Sequence, residues 1–175
     1  MKPYLTIHSD SIHSGYFKAR IDQIQRPNGA SGTYSVLEIG PAIVILAQDR
    51  QGRYVFNREY RHPAGEFLLG LPGGKLEKGE DPLEGAKREL LEETGYLSSD
   101  WLLLGKAYPL PAVADQQIFF YQALQATPTA ARHLDPLEVI EPALYTAGDL
   151  KGHIEQGLPV DGILLTAFSF QNFLR

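Results

Sequence analysis

The segment Gly74–Tyr96, GKLEKGEDPLEGAKRELLEETGY, constrains this chain more than any other. It specifies a helix over 82–94 at both ends. Asp81 stands at the N-cap, Pro82 at the first helical position and Glu84 two residues on, a capping-box arrangement with an Asp cap. Gly95 stands where a left-handed C-terminal glycine belongs. Leu83, Ala86 and Leu90 make an apolar stripe on one side, so the helix must lie on a core. Glu89, Glu92 and Glu93 recur at i+3 and i+4 spacing and share another surface.

Like charges at that spacing cost a helix a few tenths of a kcal/mol, so something must compensate. By spacing, Arg88 is i,i+4 to Glu92 and neutralises one of the three. A hard divalent cation on oxygen ligands, Mg²⁺ or Mn²⁺, would balance the rest. The competing reading is a plain solvated charged face. Two features count against it: the stripe holds the carboxylates at a fixed edge of a core, and Gly73-Gly74 can bring bare backbone close to a ligand.

The rest of the chain says what this helix packs on. Ala42 to Gln48 reads as a buried strand, Asp49-Arg50-Gln51-Gly52 as a turn, Arg53 to Tyr60 as its hairpin partner and Phe67 to Leu71 as a short apolar run. Strands are expected near 101–107, 116–124 and 138–146, and helices at 147–156 and 160–174. The last helix carries a stripe through Ile163, Ala167, Phe170 and Leu174. Strands mixed with a few helices predict a layered α/β architecture. Residues 1–35 alternate weakly, with Phe17, Ala19 and Ile21 on one face of a strand, and Arg26 to Gly32 reads as a turn or linker.

At 175 residues one fold buries roughly 70% of the surface of its unfolded chain and needs no metal or disulfide to do so. Cys is absent, which excludes disulfides, thiolate zinc sites and a cysteine nucleophile. A formal charge of −5 argues against coating nucleic acid, though a local basic pocket is compatible with it. Met1–Ser14 lacks a signal-peptide apolar run, and Gly162–Leu174 is too short and too interrupted to span a bilayer. The expectation is a soluble, cytoplasmic protein. The five histidines have no zinc spacing and read as surface or packing residues. Trp101, Phe119, Phe120 and Tyr121 read as core strand residues, any one of which could stack on a base.

Gly74, Glu80, Arg88, Glu89, Leu90, Leu91, Glu92, Glu93, Thr94, Gly95 and Tyr96 together resemble the Nudix hydrolase box: Gly, five residues, Glu, seven residues, then Arg-Glu-apolar-any-Glu-Glu-any-Gly-apolar. Every fixed position matches, with Tyr96 standing in for an aliphatic residue. The resemblance implies a Nudix-type α/β/α sandwich with a mixed sheet over 36–175, preceded by a small N-terminal β extension over 1–35. It implies hydrolysis of a nucleoside diphosphate joined to another moiety, with Mg²⁺, or Mn²⁺, as cofactor. It carries metal-holding roles to Glu89, Glu92, Glu93 and the carbonyl of Gly73, and an orienting role to Arg88. Glu80 would anchor the box loop, or else be an ordinary solvated residue.

Two flanks are similar to the ADP-ribose and nucleotide-sugar pyrophosphatase branch. Arg58-Glu59-Tyr60-Arg61-His62-Pro63 implies substrate contacts from Arg61 and Arg58, and Pro111, fifteen residues beyond Tyr96, resembles the branch's proline marker. Ala112 follows that proline where the branch has Gly, and Gly70 stands where it has an acidic residue, which keeps other nucleoside diphosphate sugars open. The acidic stretch Asp135–Glu141 resembles the loop that supplies a further metal ligand or the general base, Glu138 fitting best, with Glu141 or Glu89 as alternatives. The branch also implies a homodimer built through the N-terminal segment. The implied substrate is ADP-ribose or a related nucleoside diphosphate sugar. Other readings are a hydrolase of dinucleoside polyphosphates, coenzyme A derivatives or capped RNA, and a sensor that binds without cleaving.

Overall fold

The computed structural model describes residues 5–14, 17–129, 132–134 and 139–173. The described residues form two compact units.

The first unit joins the N-terminal residues up to Pro41 with Tyr108–Gln117. Its strands β1 (Leu5–Ser14), β2 (Phe17–Gln25) and β3 (Ser31–Glu38) form an antiparallel sheet in that order. The expected turn after Arg26 is therefore a hairpin connection rather than a linker, closed by Arg26 N–H to Ala30 O at 2.8 Å. Alternation puts Ile12, Ala19, Ile21 and Leu37 on one face. The other face carries charge: Arg20 binds Asp22 and Glu38, and Lys18 binds Glu38. The Tyr108–Gln117 segment docks on β3, with Leu37 N–H donating to Val113 O at 2.7 Å and Asp115 N–H to Leu37 O at 3.1 Å.

The second unit comprises Ala42–Ala107 and the described residues from Ile118 onward. Its strands are β4 (Ala42–Asp49), β5 (Tyr54–Arg61), β6 (Glu66–Gly70), β7 (Gly73–Lys75), β8 (Tyr96–Leu97), β9 (Asp100–Ala107), β10 (Ile118–Pro128) and β11 (Ile140–Tyr145). The helices are α1 (Pro82–Thr94), α2 (Ala147–Glu155) and α3 (Gly162–Phe173). The sheet runs β11-β5-β4-β10-β8, with β6 on β5, β7 on β4 and β9 on β10. Only β4 and β10 pair in parallel among these strands, so the sheet is mixed.

The central strand β4 is buried on both faces, which is why its sequence reads as an unbroken apolar run. Ala42, Val44 and Leu46 point one way, with Tyr54, Phe56, Leu69, Ile118 and Phe120, onto Leu150 of α2 and Leu164 and Ala167 of α3. Ile43, Ile45 and Ala47 point the other way, with Val55, Tyr121 and Ala123, onto Ala86 and Leu90 of α1. Helices thus cover both faces, and the unit is an α/β/α sandwich. In α3 the burial centres on Leu164, Ala167 and Gln171, while Ile163 and Phe170 pack at the margin. Leu174 of the expected stripe lies outside the described residues.

Candidate active site

Both ends of α1 follow local chemistry. The Asp81 carboxylate accepts from Leu83 N–H at 2.9 Å and Glu84 N–H at 3.2 Å, and Gly95 closes the helix at φ 72°, donating to Leu91 O. Glu84 departs from the capping-box expectation: its carboxylate pairs with Lys87 at 2.7 Å. A flexible ammonium three residues along the helix is the easier partner for an exposed carboxylate.

Arg88 organises the acidic side of the helix. Its Nε and Nη2 grip both oxygens of Glu80 at 2.9 and 3.1 Å, a fork-to-fork pair. Its Nη1 donates to Glu89 Oε1 and to Glu92 Oε2, each at 2.9 Å. One guanidinium therefore gathers three carboxylates, where spacing alone assigned it one. Its bonds to Glu80 chiefly, with the charge of Glu89 and the bonds to Glu89 and Glu92, outweigh burial and raise the Arg88 pKa above its ordinary value. Arg88, with the Glu77 N–H, holds the Glu80 carboxyl below its own. Glu80 is thereby the anchor of the box loop.

Glu93 occupies different ground. It is 5% exposed, and its Oε2 accepts from Asn57 Nδ2 at 2.8 Å and from Gly73 N–H at 2.9 Å. Asn57 is a residue that sequence reasoning missed. It follows Val55 by two on β5, so alternation turns it to the α1 face. A lone amide at an otherwise apolar strand position was the available signal. Its Oδ1 is a buried atom with no partner in the structure.

The Gly73-Gly74 pair is required by close approach. A Cβ on Gly73 would lie 2.3 Å from Ile43 O, and one on Gly74 would lie 2.3 Å from Glu89 Oε1. The bare backbone of Gly74 is thus the wall against which the Glu89 carboxylate rests. Among the described residues, no three acidic or histidine side chains are already drawn into a metal-type cluster. The donor set nevertheless fits a hard divalent ion: carboxylate oxygens on adjacent turns of one helix, beside a backbone cradle that any side chain would fill.

Arg61 pairs with Glu59 at 2.6 Å and lies 3.9 Å from Asp161. Arg58 lies directly opposite Leu69, on the α2/α3 face rather than the α1 face. It stacks 4.4 Å over Phe67 and meets Glu141 at 3.2 Å. Glu141 is thereby an exposed ion-pair partner on β11. Pro111 belongs to the first unit, in the turn where Val113 and Ala114 N–H donate to Leu110 O. Glu138, with Asp135 and Pro136, lies outside the described residues. Phe120 and Tyr121 are buried, Trp101 is half-buried with its indole N–H on Ser98 O, and Phe119 lies beneath Lys106.

The Nudix domain profile matches residues 38–163. The chain is 35% identical over 119 residues to a methanol dehydrogenase activator of Bacillus methanolicus, a match covering 67% of this chain and 64% of that protein. It is 29% identical over 168 residues to an ADP-ribose pyrophosphatase of Bacillus subtilis, covering 95% and 90% respectively. Among solved structures, an ADP compounds hydrolase superposes with a TM-score of 0.85 at 18% identity, covering 99% of this chain and 95% of that one, which establishes a shared fold. The profile match over most of the chain, and a box whose every fixed position is filled and whose Glu80, Glu89 and Glu92 meet on Arg88 of α1, place this protein in the Nudix hydrolase family.

Proposed function

We propose that this protein hydrolyses the pyrophosphate bond of ADP-ribose or a related nucleoside diphosphate sugar, releasing a nucleoside monophosphate and a sugar phosphate. The observation that carries the chemistry is the gathering of Glu80, Glu89 and Glu92 on Arg88 beside the buried Glu93. Three carboxylates on one guanidinium leave a surplus of negative charge, which would repel a pyrophosphate unless divalent cations bridge the two. The substrate class is supported by the likeness to the Bacillus subtilis ADP-ribose pyrophosphatase along nearly the whole chain.

Glu89, Glu92 and Glu93, with the Gly73 carbonyl, would hold Mg²⁺, or Mn²⁺ in its place. When bound, the ion supplies charge neutralisation at the phosphoryl oxygens and acidifies the attacking water. Arg88 orients Glu89 and Glu92, and Asn57 with the Gly73 N–H orients Glu93. Arg61 would contact the substrate phosphates, exchanging its bond to Glu59 for a phosphate oxygen of higher charge. Glu138 is assigned as general base or further ligand, and Arg58 and Pro111 as substrate-side residues, on the box's flanking pattern. A homodimer through the N-terminal sheet and a cytoplasmic location belong to the same reading. No helix among the described residues is long and apolar enough to cross a membrane.

The test is a panel of ADP-ribose, other nucleoside diphosphate sugars, dinucleoside polyphosphates, coenzyme A and capped RNA, with and without Mg²⁺, in ¹⁸O-labelled water. Release of phosphomonoesters from ADP-ribose or a nucleotide sugar, only with the ion, is expected. Changing partners of metal ligands costs about 10–100-fold, so replacing a ligand outright in Glu93→Gln should lower kcat by at least that much. Full turnover by that variant removes the metal assignment.

A further inference from the structure

The last turn of α1 holds Glu92 and Glu93 and contains no basic residue. Its carbonyls point out of the helix end as partial negative charges, next to carboxylates of the same sign. The stretch after β10 supplies what the helix lacks. Thr129 N–H donates to Gly95 O at 2.7 Å and His133 N–H to Glu92 O at 3.0 Å. The Arg132 Nε donates to Glu93 O at 2.9 Å, and its Nη2 donates to Ile140 O, the first residue of β11. One guanidinium thus ties the peptide of Glu93 to the edge strand beside β5, the strand whose Asn57 holds the Glu93 side chain.

We infer that Arg132 is a positioning residue for metal binding: by clamping the backbone of Glu93 to β11, it sets where the Glu93 carboxylate stands relative to Glu89 and Glu92. The inference rests on the metal reading given above. Glu93 is then held at two levels, its side chain by Asn57 and Gly73 and its main chain by Arg132. A carboxylate fixed at its tip still pivots if the helix end frays, and the Gly95 cap bonds Leu91 O, so the carbonyls of Glu92 and Glu93 take their donors from His133 and Arg132. An arginine suits the task because its planar fork reaches two carbonyls in different directions, whereas an ammonium reaches as a point charge.

The experiment compares the full-length wild type with Arg132→Ala, Arg132→Lys, Glu93→Gln and Asp81→Ala. Binding of Mn²⁺ alone is measured by electron paramagnetic resonance, beside Tm without metal and the kinetics of ADP-ribose hydrolysis. Arg132→Ala is expected to bind Mn²⁺ about tenfold more weakly, the size set by losing an outer partner of a ligand. At saturating Mn²⁺ its KM for ADP-ribose should stay within about twofold of the wild type, because Arg132 bonds backbone and not substrate. Arg132→Lys should fall between the two proteins. Asp81→Ala loosens the same helix at its other end, so it should lower Tm while leaving Mn²⁺ affinity within about twofold of the wild type.

Mn²⁺ affinities of both Arg132 variants equal to wild type would overturn the inference. So would an Asp81→Ala protein that loses affinity as much as Arg132→Ala, since the effect would then be general loosening of α1. If Arg132→Ala does not fold, Arg132→Lys decides by the same affinity criterion. The metal reading fails separately: a wild type that takes up no Mn²⁺, or a Glu93→Gln protein that binds it as tightly, removes that reading and this inference with it.

Discussion

Gly73 and Gly74 are neighbours with the same missing atom, yet they answer to different constraints. A methyl on Gly73 would meet the backbone of Ile43 and Val44, and strands cannot part cheaply. A methyl on Gly74 would meet the Glu89 carboxylate, which swings on rotatable bonds. Gly73→Ala is therefore expected to lose stability, about 1–3 kcal/mol in a denaturant melt. Gly74→Ala should keep its Tm and lose metal-dependent turnover, because the displaced group is a proposed ligand. A Gly74→Ala enzyme of normal kcat would dissociate that cradle from catalysis. Asn57 gives a third contrast. Asn57→Leu keeps the branched outline of the side chain but removes the amide, leaves Glu93 with the Gly73 N–H as its remaining donor of the two, and should reduce activity about 10–100-fold at limiting Mg²⁺. Recovery at high Mg²⁺ is the matching observation, and unaltered Mg²⁺ dependence would remove Asn57 from the site.

Among the elements, the β4–β5 connection is held by one acid. Asp49 accepts from Gln51 N–H at 2.9 Å, Arg53 N–H at 2.8 Å and the Arg53 Nε at 2.9 Å. Burial pushes its pKa up, but the Arg53 and Gln51 bonds outweigh burial and hold it below the ordinary value of 3.8. Between the folded and ordinary values the unfolded chain binds more protons, so stability rises with pH across that window. The contribution is complete above the ordinary carboxyl range and disappears as pH falls through the folded value. Asp49→Asn should accordingly be less stable than wild type at neutral pH, with the gap closing in acid. Urea melts from pH 7 to pH 3 measure this, and a gap that widens toward acid would refute it. The α1 helix illustrates the same locality: cap, stripe and C-terminal glycine are decided within a dozen or so neighbouring residues, without reference to the sheet.

For the whole molecule, the N-terminal sheet is where apolar side chains stand exposed together on one strand face. Ile12, Ile21 and Leu37 share one face and are 54%, 39% and 36% exposed, opposite the face that carries the Lys18, Arg20, Asp22 and Glu38 ion pairs. Apolar residues grouped on a strand face favour burial against another surface. The proposed homodimer supplies one, so sedimentation equilibrium at micromolar concentration should give a dimer, and Ile21→Asp should shift it to monomer. A monomeric wild type would end that proposal.

What the amino-acid string determined by itself is whatever short-range chemistry decides. The box residues, the capped helix, the buried β4 run and the Asp49–Gly52 turn all follow from periods, caps and turn residues within a few positions. Tertiary structure decided which surfaces meet. Alternation announces that Asn57 and Arg58 face opposite ways, but only the sheet's layering puts Asn57 on Glu93 and sends Arg58 to Phe67. Helical spacing brings Arg88 to Glu92, but the path of the box loop brings Glu80 to Arg88. Folding also assigned Pro111 to the first unit and brought Arg132 to the end of α1 from 39 residues away. These pairings depend on chain closure across long separations, whose cost is repaid by the packed core as a whole and leaves no local mark on the residues that happen to meet.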